Sequence, residues 1–330
     1  MNDTFKALRI NEQNDGSYVS AIEYKTLEDL PQGDVVIKVE YSSLNYKDAL
    51  SASGNKGVTS QYPHTPGIDA AGTVVSSESS KFQEGDPVIV TGFDLGMNTW
   101  GGYSEYIRVP EKWIIALPER LSPREAMILG TAGLTAGLSV SELFLSNIEE
   151  DGRVIVTGAT GGVGLFTLAI LAHHNFDITA VTGKSNMHEL LKKVGATHII
   201  SREQLYEKAH KPLLKGEYDG AIDVAGGKTM DSILKRLKYG GIATCCGLVD
   251  SPKLETTVFP FILRKIRLIG IDSVESNRKQ RKNVWNMFAN EWKINLPGEL
   301  VTECTLEELP GYFNQILKGN ITGRVVVKIA

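Results

Sequence analysis

A glycine-rich segment, residues 153–164 (RVIVTGATGGVG), is the most specific chemical feature of the sequence. An apolar strand runs into a tight turn and then directly into an apolar helix. Glycines let the backbone turn sharply and approach a pyrophosphate, which then faces the N–H groups and the positive end of the helix. Gly161, Gly162 and Gly164 occupy the close-approach positions, and Ala159 stands where a strict G-x-G-x-x-G motif has its first glycine. The segment predicts dinucleotide binding, and the alternative is a merely tight turn in an α/β sheet.

The next apolar run ends in residues 181–185 (VTGKS), at the distance from the glycines where an acidic residue decides cofactor choice. A site that prefers NAD has Asp or Glu near this point, because the carboxylate accepts a hydrogen bond from the ribose 2′-hydroxyl. VTGKS contains no acid. Thr182, Gly183, Lys184 and Ser185 instead offer space, a positive charge and hydroxyl groups, which suit a 2′-phosphate. The segment predicts NADPH as the cofactor, and the alternative for Lys184 is a solvated surface lysine.

The elements that must position these groups follow from the apolar pattern. The chain begins with β-rich segments at 34–41, 87–91 and 103–109, separated by Gly and Pro as in a compact barrel or sandwich. From residue 122 the pattern changes, because Ser122, Pro123 and Glu125 together form a helix start. Short apolar runs then alternate with helical stretches. This order predicts an α/β fold with a parallel sheet covered by helices on both faces.

The predicted strands of the alternating part are 154–157, 178–181, 198–200, 220–224, 242–246 and 268–271, and its clearest helices are 163–174 and 186–194. A charged helix from 276 to 292, a partly helical stretch over 305–319 and a last strand over 324–329 complete the chain.

Length and composition limit the classes of protein to consider. A chain of 330 residues is too long for one ordinary core, so two domains are expected. A formal net charge of −4 gives no reason to expect nucleic acid or an anionic membrane as the main partner. No apolar run reaches the ~20 residues of a membrane-spanning helix, and residues 1–25 lack the apolar core of a signal peptide. The three cysteines, Cys245, Cys246 and Cys304, are too few for a disulfide framework. A cytoplasmic protein with reduced thiols is expected.

Several segments together are more specific than the glycine turn alone. They lie in the same order over nearly the whole chain: 42–50 (SSLNYKDAL), 66–74 (PGIDAAGTV), 100–105 (WGGYSE), 130–136 (GTAGLTA), 157–164, 239–248 (YGGIATCCGL), 260–264 (PFILR) and 323–324. With these segments the chain resembles the acrylyl-CoA reductases and the related quinone oxidoreductases of the YhdH/YhfP type, within the medium-chain dehydrogenase/reductase superfamily.

The resemblance implies two domains and a homodimer. A GroES-like β-rich domain that binds substrate takes both chain ends, residues 1–124 and 274–330. A Rossmann domain with a doubly wound parallel sheet, residues 125–273, binds NADPH. The active site is then expected in the cleft between the two domains.

The sequence departs from the zinc alcohol dehydrogenases of the same superfamily at one chemically decisive place. Those enzymes carry Gly-His-Glu where this chain has Gly67-Ile68-Asp69, and they have a closely spaced cysteine run that this chain lacks. His64 is the only histidine before residue 173, and no cysteine precedes residue 245. No Cys/His zinc site is therefore expected in the first domain, and catalysis without a metal follows.

Without zinc, the accessible reaction is hydride transfer to an activated acceptor. In an α,β-unsaturated carbonyl compound the hydride goes to the β-carbon, the developing enolate needs hydrogen-bond donors, and the α-carbon takes a proton. By the resemblance, residues 45–48 (NYKD) face the nicotinamide, with Tyr46 beside the cofactor. Tyr46 is a candidate donor or acid, Asn45 a candidate donor to an oxyanion, and Asp48 a candidate to orient a neighbour. The alternative is that Asn45 caps a short turn and Tyr46 only packs.

Further cofactor contacts are carried over from the motifs of the family. The resemblance places Arg202 near the adenosine, Thr131 beside the nicotinamide, and Asn320 in a loop that returns towards the cleft. The other positions lie along the pyrophosphate, the 2′-phosphate end and the cofactor groove: Thr160, Gly161, Gly162, Val163, Thr182, Gly183, Lys184, Ser185, Leu248, Ile262 and Ser273. For Arg324, a structural role in holding the closing strand is favoured over phosphate contact.

The leading hypothesis is an NADPH-dependent reductase of an activated C=C bond, in acryloyl-CoA or a similar enoyl thioester or enone. A quinone reductase is the enzymatic alternative, because the same geometry can reduce a quinone. A non-catalytic NADPH-binding redox sensor is the alternative from another class. The acidic balance and the lack of a basic patch with interleaved aromatic residues argue against a nucleic-acid partner.

Overall fold

The computed structural model describes residues 4–146, 148–149, 151–292, 294 and 296–330. The chain divides into two compact units. The first unit comprises Met1–Thr131, Val274–Glu291 and Gly298–Ala330, and the second comprises Ala132–Ser273 and Trp292–Pro297. These units differ from the predicted domain limits in two places, since residues 125–131 belong to the first unit and residues 292–297 to the second.

The first unit is built on β-strands, as its sequence predicts. A hairpin of β1 (Thr4–Glu12) and β2 (Tyr18–Thr26) precedes a larger, mainly antiparallel sheet. The strands of that sheet are β3 (Val35–Ser43), β4 (Asp69–Ser77), β5 (Pro87–Thr91), β6 (Tyr106–Val109), β7 (Ile114–Ala116), β14 (Val301–Thr305) and β15 (Arg324–Lys328). Their order in the sheet is β14-β15-β3-β4-β5-β7, and β6 also pairs with β3.

Alternate side chains along β3 contribute to the core of this unit. Val35, Ile37 and Val39 point to one face and are fully buried against apolar residues of the neighbouring strands. The last strand returns to the first part of the chain, because β15 pairs antiparallel with β3 and places Val327 opposite Ser42.

Among the described residues, the α-helices that lie wholly in the first unit are α1 (Tyr46–Ala52), α8 (Arg278–Met287) and α9 (Pro310–Leu317). α1 and α9 share an apolar cluster in which Ala49 packs with Leu309 and Phe313. The charged helix predicted over 276–292 is shorter than expected, because a π-helical turn, Phe288–Trp292, follows α8.

The helix α2 (Pro123–Leu145) begins as the sequence predicts, because Ser122 and Glu125 form reciprocal hydrogen bonds around its first turn. It is interrupted at Gly130, whose φ of 50° and ψ of −154° are not helical. Within the described residues, α2 is the one helix long and apolar enough to cross a membrane, with a mean hydropathy of 1.5 over its most apolar window. The expectation that the chain has no membrane-spanning helix stays a prediction. Because 67% of that window is buried inside the protein, a core helix explains the hydropathy equally well.

The second unit is an α/β unit with a fully parallel sheet. Its strands are β8 (Arg153–Val156), β9 (Asp177–Val181), β10 (His198–Ile200), β11 (Tyr218–Asp223), β12 (Leu237–Cys245) and β13 (Arg267–Gly270). Their order in the sheet is β10-β9-β8-β11-β12-β13. Its shorter helices are α3 (Gly162–His173), α4 (His188–Val194), α5 (Arg202–Tyr206), α6 (Gly227–Leu234) and α7 (Phe259–Arg264).

The strand order reverses between β8 and β11, and that point of a doubly wound sheet is where ligands bind, at the carboxyl ends of the strands. The predicted parallel sheet is confirmed. One strand is longer than predicted, because β12 begins at Leu237, five residues before the apolar run at 242–246.

Candidate cofactor-binding and active-site residues

The glycine-rich turn joins β8 to α3 at the carboxyl edge of the parallel sheet. α3 begins at Gly162 after the exposed residue Gly161, and the first turn of a helix leaves N–H groups without intrahelical acceptors. A Cβ atom at residue 164 would overlap the carbonyl oxygen of Gly158 and lie 2.7 Å from the Cα of Ala159. At residue 161 the nearest neighbour of a Cβ atom would be the Gly158 oxygen, at 3.4 Å. Gly164 therefore closes the turn, while the open side at Gly161 fits a pyrophosphate.

A buried carboxylate supports this turn from the neighbouring strand. The hydroxyl of Thr157 donates to Asp223 Oδ1 at 2.6 Å and accepts from the N–H of Val224 at 3.0 Å. The second oxygen, Asp223 Oδ2, accepts from the N–H of Gly226 at 2.6 Å. Burial raises the pKa of Asp223. These bonds tie the ends of β8 and β11 together where the strand order reverses, and the sequence alone did not single out Asp223.

The residues predicted at the 2′-phosphate and the arginine predicted near the adenosine lie at the ends of two adjacent strands. After β9, the N–H of Lys184 donates to Thr182 Oγ1 at 3.0 Å, and Ser185 begins a short exposed turn. After β10, the guanidinium group of Arg202 lies against Gly183, where a Cβ atom would be 2.9 Å from Nη2. Burial lowers the pKa of Lys184. Arg202 therefore lies beside the exposed Gly183 of the VTGKS segment, which Lys184 follows in the chain.

The remaining positions predicted in the second unit differ in how accessible they are. Thr160 is buried, and Val163 is half-buried in the first turn of α3. Leu248 is 63% exposed and Ile262 is 69% exposed, so both offer apolar surface. Ser273 is buried, and its hydroxyl accepts a hydrogen bond from Thr135 Oγ1 at 2.8 Å.

In the first unit, Asp48 is fully buried within the predicted NYKD segment. Its Oδ2 accepts from the N–H of Asn45 at 2.8 Å, and its Oδ1 accepts from the N–H groups of Gly67 and Ile68 at 3.1 and 2.9 Å. Burial, reinforced by the negative charge of Asp69, raises the pKa of Asp48 to about 7. This geometry fits the orienting role named for Asp48 and leaves its side chain no exposed surface for contact with substrate.

Asp69 is the acceptor at the centre of a second polar cluster. Its Oδ2 accepts from Ser43 Oγ at 2.7 Å, Asn45 Nδ2 at 2.8 Å and the N–H of Thr131 at 2.9 Å. Its Oδ1 accepts from Thr131 Oγ1 at 2.5 Å. The hydrogen bond from Asn45 to Asp69 uses one of the two N–H donors of the amide group that the sequence offered to an oxyanion. Asn45 as a direct donor to substrate stays a prediction, and the geometry favours a positioning role for it.

Arg324 supplies the positive charge of the same cluster. Its Nε donates to the carbonyl of Ile128 at 2.9 Å, and its Nη2 donates to Ser43 Oγ at 3.0 Å. Its Nη1 lies 3.3 Å from the carbonyl oxygen of Leu44 and 3.4 Å from Asn45 Oδ1. Burial lowers the pKa of Arg324, while the charge of Asp69 opposes that shift. Arg324 holds main-chain and side-chain groups of its own unit, which is the structural role that the sequence favoured.

Tyr46 and Asn320 are both exposed. Tyr46 is the first residue of α1, and its side chain is 39% exposed, in contrast to the buried Asp48 two residues later. Asn320 follows α9, and its N–H donates to the carbonyl of Gln315 at 2.9 Å. Tyr46 is therefore the exposed residue of the NYKD segment.

Sequence reasoning missed Asp69 and Ser43 as parts of this site. One feature of the sequence could have indicated them, because Gly130 of the GTAG segment interrupts a strong helical pattern. The ends of a broken helix have main-chain N–H and carbonyl groups that need polar partners. Asp69 and Arg324 satisfy them. The separation of 255 positions between these two residues hides that relationship in the sequence.

The surroundings of Asp69 are donors rather than metal ligands. Hydroxyl, amide and main-chain N–H groups donate hydrogen bonds to its carboxylate. The side chain of the neighbouring Ile68 has no atom that could bind a metal ion. Burial lowers the pKa of His64 to about 4. In the described ranges, there is no group of three or more His, Cys, Asp or Glu side chains arranged to hold a metal ion.

Two family models match the chain. Residues 162–290 match the zinc-binding dehydrogenases, and residues 31–119 match the GroES-like domain of alcohol dehydrogenases. The predicted combination of a GroES-like and a Rossmann fold is confirmed by these matches together with the two larger sheets.

Two full-length relatives are similar to the chain. YhfP of Bacillus subtilis, named a quinone oxidoreductase, is 43% identical over 100% of both chains. AcuI of Escherichia coli, named an acrylyl-CoA reductase, is 40% identical over 96% of this chain and 98% of its own length.

Two solved structures are similar as well. The YhdH oxidoreductase of Salmonella enterica, in complex with NADP, is 42% identical with a TM-score of 0.93, over 98% of this chain and 100% of its own. YhfP of Bacillus subtilis with NAD bound is 42% identical with a TM-score of 0.94, over 98% of this chain and 99% of its own.

Proposed function

The chain belongs to the medium-chain dehydrogenase/reductase superfamily, in the group that includes YhfP and AcuI, and on that premise we propose that it is an NADPH-dependent reductase. The proposed reaction adds hydride to the β-carbon of an activated C=C bond in acryloyl-CoA or a related enoyl thioester or enone. The observation that carries this proposal is the 40% identity to an acrylyl-CoA reductase over 96% of the chain.

The second unit contains residues suited to hold the cofactor. The open turn at Thr160–Val163 fits the pyrophosphate, and Lys184 with Arg202 offers positive charge to a 2′-phosphate. The NADP complex of the Salmonella relative supports this choice, and the NAD complex of YhfP makes cofactor preference a point to test directly. When bound, NADPH supplies the hydride.

The chain's own residues must then stabilise the acceptor. As hydride adds to the β-carbon, the C=C electron pair moves towards the carbonyl oxygen, and the α-carbon subsequently takes a proton. A hydrogen-bond donor at the oxygen lowers the barrier. Tyr46 is the residue we assign to this role, because its side chain is accessible whereas Asn45 and Asp48 are engaged within the protein.

A quinone acceptor is the second candidate, because YhfP, which is named a quinone oxidoreductase, is 43% identical over the full chain. The two candidates separate in one assay. NADPH oxidation is followed with acryloyl-CoA and with a small benzoquinone, each with and without a chelator and each repeated with NADH. Fast, chelator-insensitive turnover of acryloyl-CoA with NADPH is expected. Turnover of the quinone alone would favour the second candidate, and cofactor binding without turnover of either would favour a non-catalytic NADPH sensor.

We further propose a cytoplasmic homodimer. Large apolar side chains concentrated between residues 248 and 263 are exposed, among them Val249, Val258, Phe259 and Leu263, and such a surface suits a partner subunit. The free thiols of Cys245, Cys246 and Cys304 fit a reducing compartment. Light scattering should give twice the mass of the chain, and Leu263→Glu should lower that mass towards the monomer.

A further inference from the structure

The interruption of α2 creates two helix ends that carry opposite partial charges. Arg324 Nε donates to the carbonyl of Ile128 just before the break at Gly130, and Asp69 accepts from the N–H of Thr131 just after it. A cation at a carbonyl end and an anion at an N–H end both match the helix dipole. A Cβ atom at residue 130 would lie 2.6 Å from Asp69 Oδ2 and 3.0 Å from Arg324 Nη2. The break therefore brings the main chain against both charged groups.

Asp69 and Arg324 also determine how the Asn45 amide is oriented. Its Nδ2 donates to Asp69 at 2.8 Å, and its Oδ1 faces Arg324 Nη1 at 3.4 Å. The flipped amide would put NH₂ against the guanidinium group and oxygen against the carboxylate, so only one orientation satisfies both charges. Asn45 directly precedes Tyr46, the first residue of α1. The orientation of the amide therefore fixes the segment from which Tyr46 projects.

Ser43 bridges the same two charges. Its hydroxyl donates to Asp69 Oδ2 at 2.7 Å and accepts from Arg324 Nη2 at 3.0 Å. Ser43 and Arg324 are both buried, so water competes little with these bonds. The cluster consequently links three separate parts of the first unit: the end of β3, the start of β4 and the start of β15.

From this arrangement we infer that Asp69 and Arg324 are positioning residues of the reductase. They hold the Asn45–Tyr46 segment and Thr131 in one arrangement and do not themselves contact the acceptor. The inference rests on the proposed function, because it assigns Tyr46 to the acceptor. Displacement of a reacting group by ~1 Å costs on the order of 100-fold in rate, so loss of either charge should slow hydride transfer itself.

Asp69→Asn keeps the shape of the side chain and removes its charge. The test is a single-turnover experiment in which enzyme preloaded with NADPH is mixed with excess acceptor. The first-order rate constant does not depend on how much enzyme is folded, whereas the amplitude does. We expect the rate constant to fall ~10- to 100-fold, with the dissociation constant for NADPH within a few-fold of that of the wild type.

Asp86→Asn is the matched control, because Asp86 also accepts a main-chain N–H in the first unit, from Gln83 at 2.9 Å, but lies in an exposed turn outside this cluster. It should leave the rate constant unchanged.

Arg324→Lys is the second variant. It keeps a positive charge beside Asp69, so it still tests the inference if Asp69→Asn does not fold. A lysine ammonium group cannot reproduce the fork that reaches Ile128, Asn45 and Ser43 together, so the rate constant should still fall, by ~3- to 10-fold. Its control is Arg108→Lys, because the Arg108 guanidinium likewise donates to main-chain carbonyls, those of Leu27, Leu30 and Pro31.

The outcomes separate this inference from the function on which it rests. A wild-type enzyme that reduces neither acceptor contradicts both. An active wild type whose Asp69 and Arg324 variants lose amplitude but keep the rate constant contradicts the positioning role alone, because the residues would then only support folding. A lower rate constant in Arg324→Lys, with the controls unchanged, supports the inference even where Asp69→Asn does not fold.

Discussion

The guanidinium group of Arg202 lies directly against Gly183, so that a Cβ atom at residue 183 would stand 2.9 Å from Arg202 Nη2. The two residues follow neighbouring parallel strands, β9 and β10, and Lys184 is the next residue in the chain. At the place where an NAD-preferring site carries an acid, this chain therefore has Arg202 in contact with Gly183 and Lys184 as the next residue in the chain. The preference between NADPH and NADH can consequently be tested directly by mutation at this place.

Lys184→Asp should reverse the preference between the two cofactors. A hydrogen bond to a charged group contributes about 1.5–3 kcal/mol, so the Michaelis constant for NADPH should rise at least ~10-fold while that for NADH falls. Steady-state kinetics with both cofactors measures the ratio. Lys192→Asp, on the exposed face of α4, is the control and should leave the ratio unchanged. An unchanged ratio in Lys184→Asp would remove Lys184 from the 2′-phosphate site.

Two glycines of the turn should respond differently to alanine. Gly164→Ala places a methyl group against the Gly158 carbonyl, so both the melting temperature and the affinity for NADPH should fall. Gly161→Ala has room on the protein side, so it should weaken NADPH binding with little change in melting temperature. Gly270→Ala, where a Cβ atom would meet nothing within 4 Å, is the control for both. Equal losses of stability at residues 161 and 164 would contradict this account of the turn.

Tyr46→Phe removes the hydroxyl group and little else. Turnover should fall ~10- to 100-fold, the size expected for loss of a donor at a developing oxyanion, while the dissociation constant for NADPH stays within a few-fold. Tyr24→Phe is the control, since Tyr24 is exposed on β2. Turnover that is unaffected in Tyr46→Phe would exclude Tyr46 as donor or acid.

Asp48 should give the stability of the protein a specific pH dependence. Its pKa is raised to about 7 in the folded state, against ~3.9 in an unfolded chain. The folded protein therefore keeps this proton where the unfolded chain has lost it, so the contribution of Asp48 to stability falls as pH rises from about 4 to 7. Asp48→Asn cannot titrate. The free energy of unfolding of the wild type minus that of the variant, measured by denaturant titration, should decline over that pH range, and a flat or rising difference would refute the shift.

The sequence was informative where a function depends on neighbours in the chain. The glycine turn at 157–164 and the end of β9, which lacks an acid, are local patterns. Their residue types indicate the groups they could bind, a pyrophosphate and a 2′-phosphate. The helix start at Ser122 and the parallel order of the second sheet were predictable for the same reason, because capping and strand–helix alternation are local.

The cluster around Asp69 could not be predicted in this way. It joins Ser43, Asn45, Gly130, Thr131 and Arg324, which come together only when β15 pairs with β3 and α2 breaks beside them. From the sequence, Asn45 was a candidate donor to an oxyanion and Asp48 a candidate to orient a neighbour. The folded geometry pairs the Asn45 amide with Asp69, which the sequence did not indicate, and it holds Asp48 against main-chain N–H groups, which fits the orienting role.

The destination of the hydride is the most direct test of the proposed reaction. NADPH carrying deuterium at the transferable position is reacted with acryloyl-CoA, and the product is examined by mass spectrometry and NMR. The proposed reaction gives propionyl-CoA with one deuterium at the β-carbon and one solvent-derived proton at the α-carbon, and the same result is expected in the presence of a chelator. Deuterium at any other position, or oxidation of NADPH without a saturated thioester product, would contradict it.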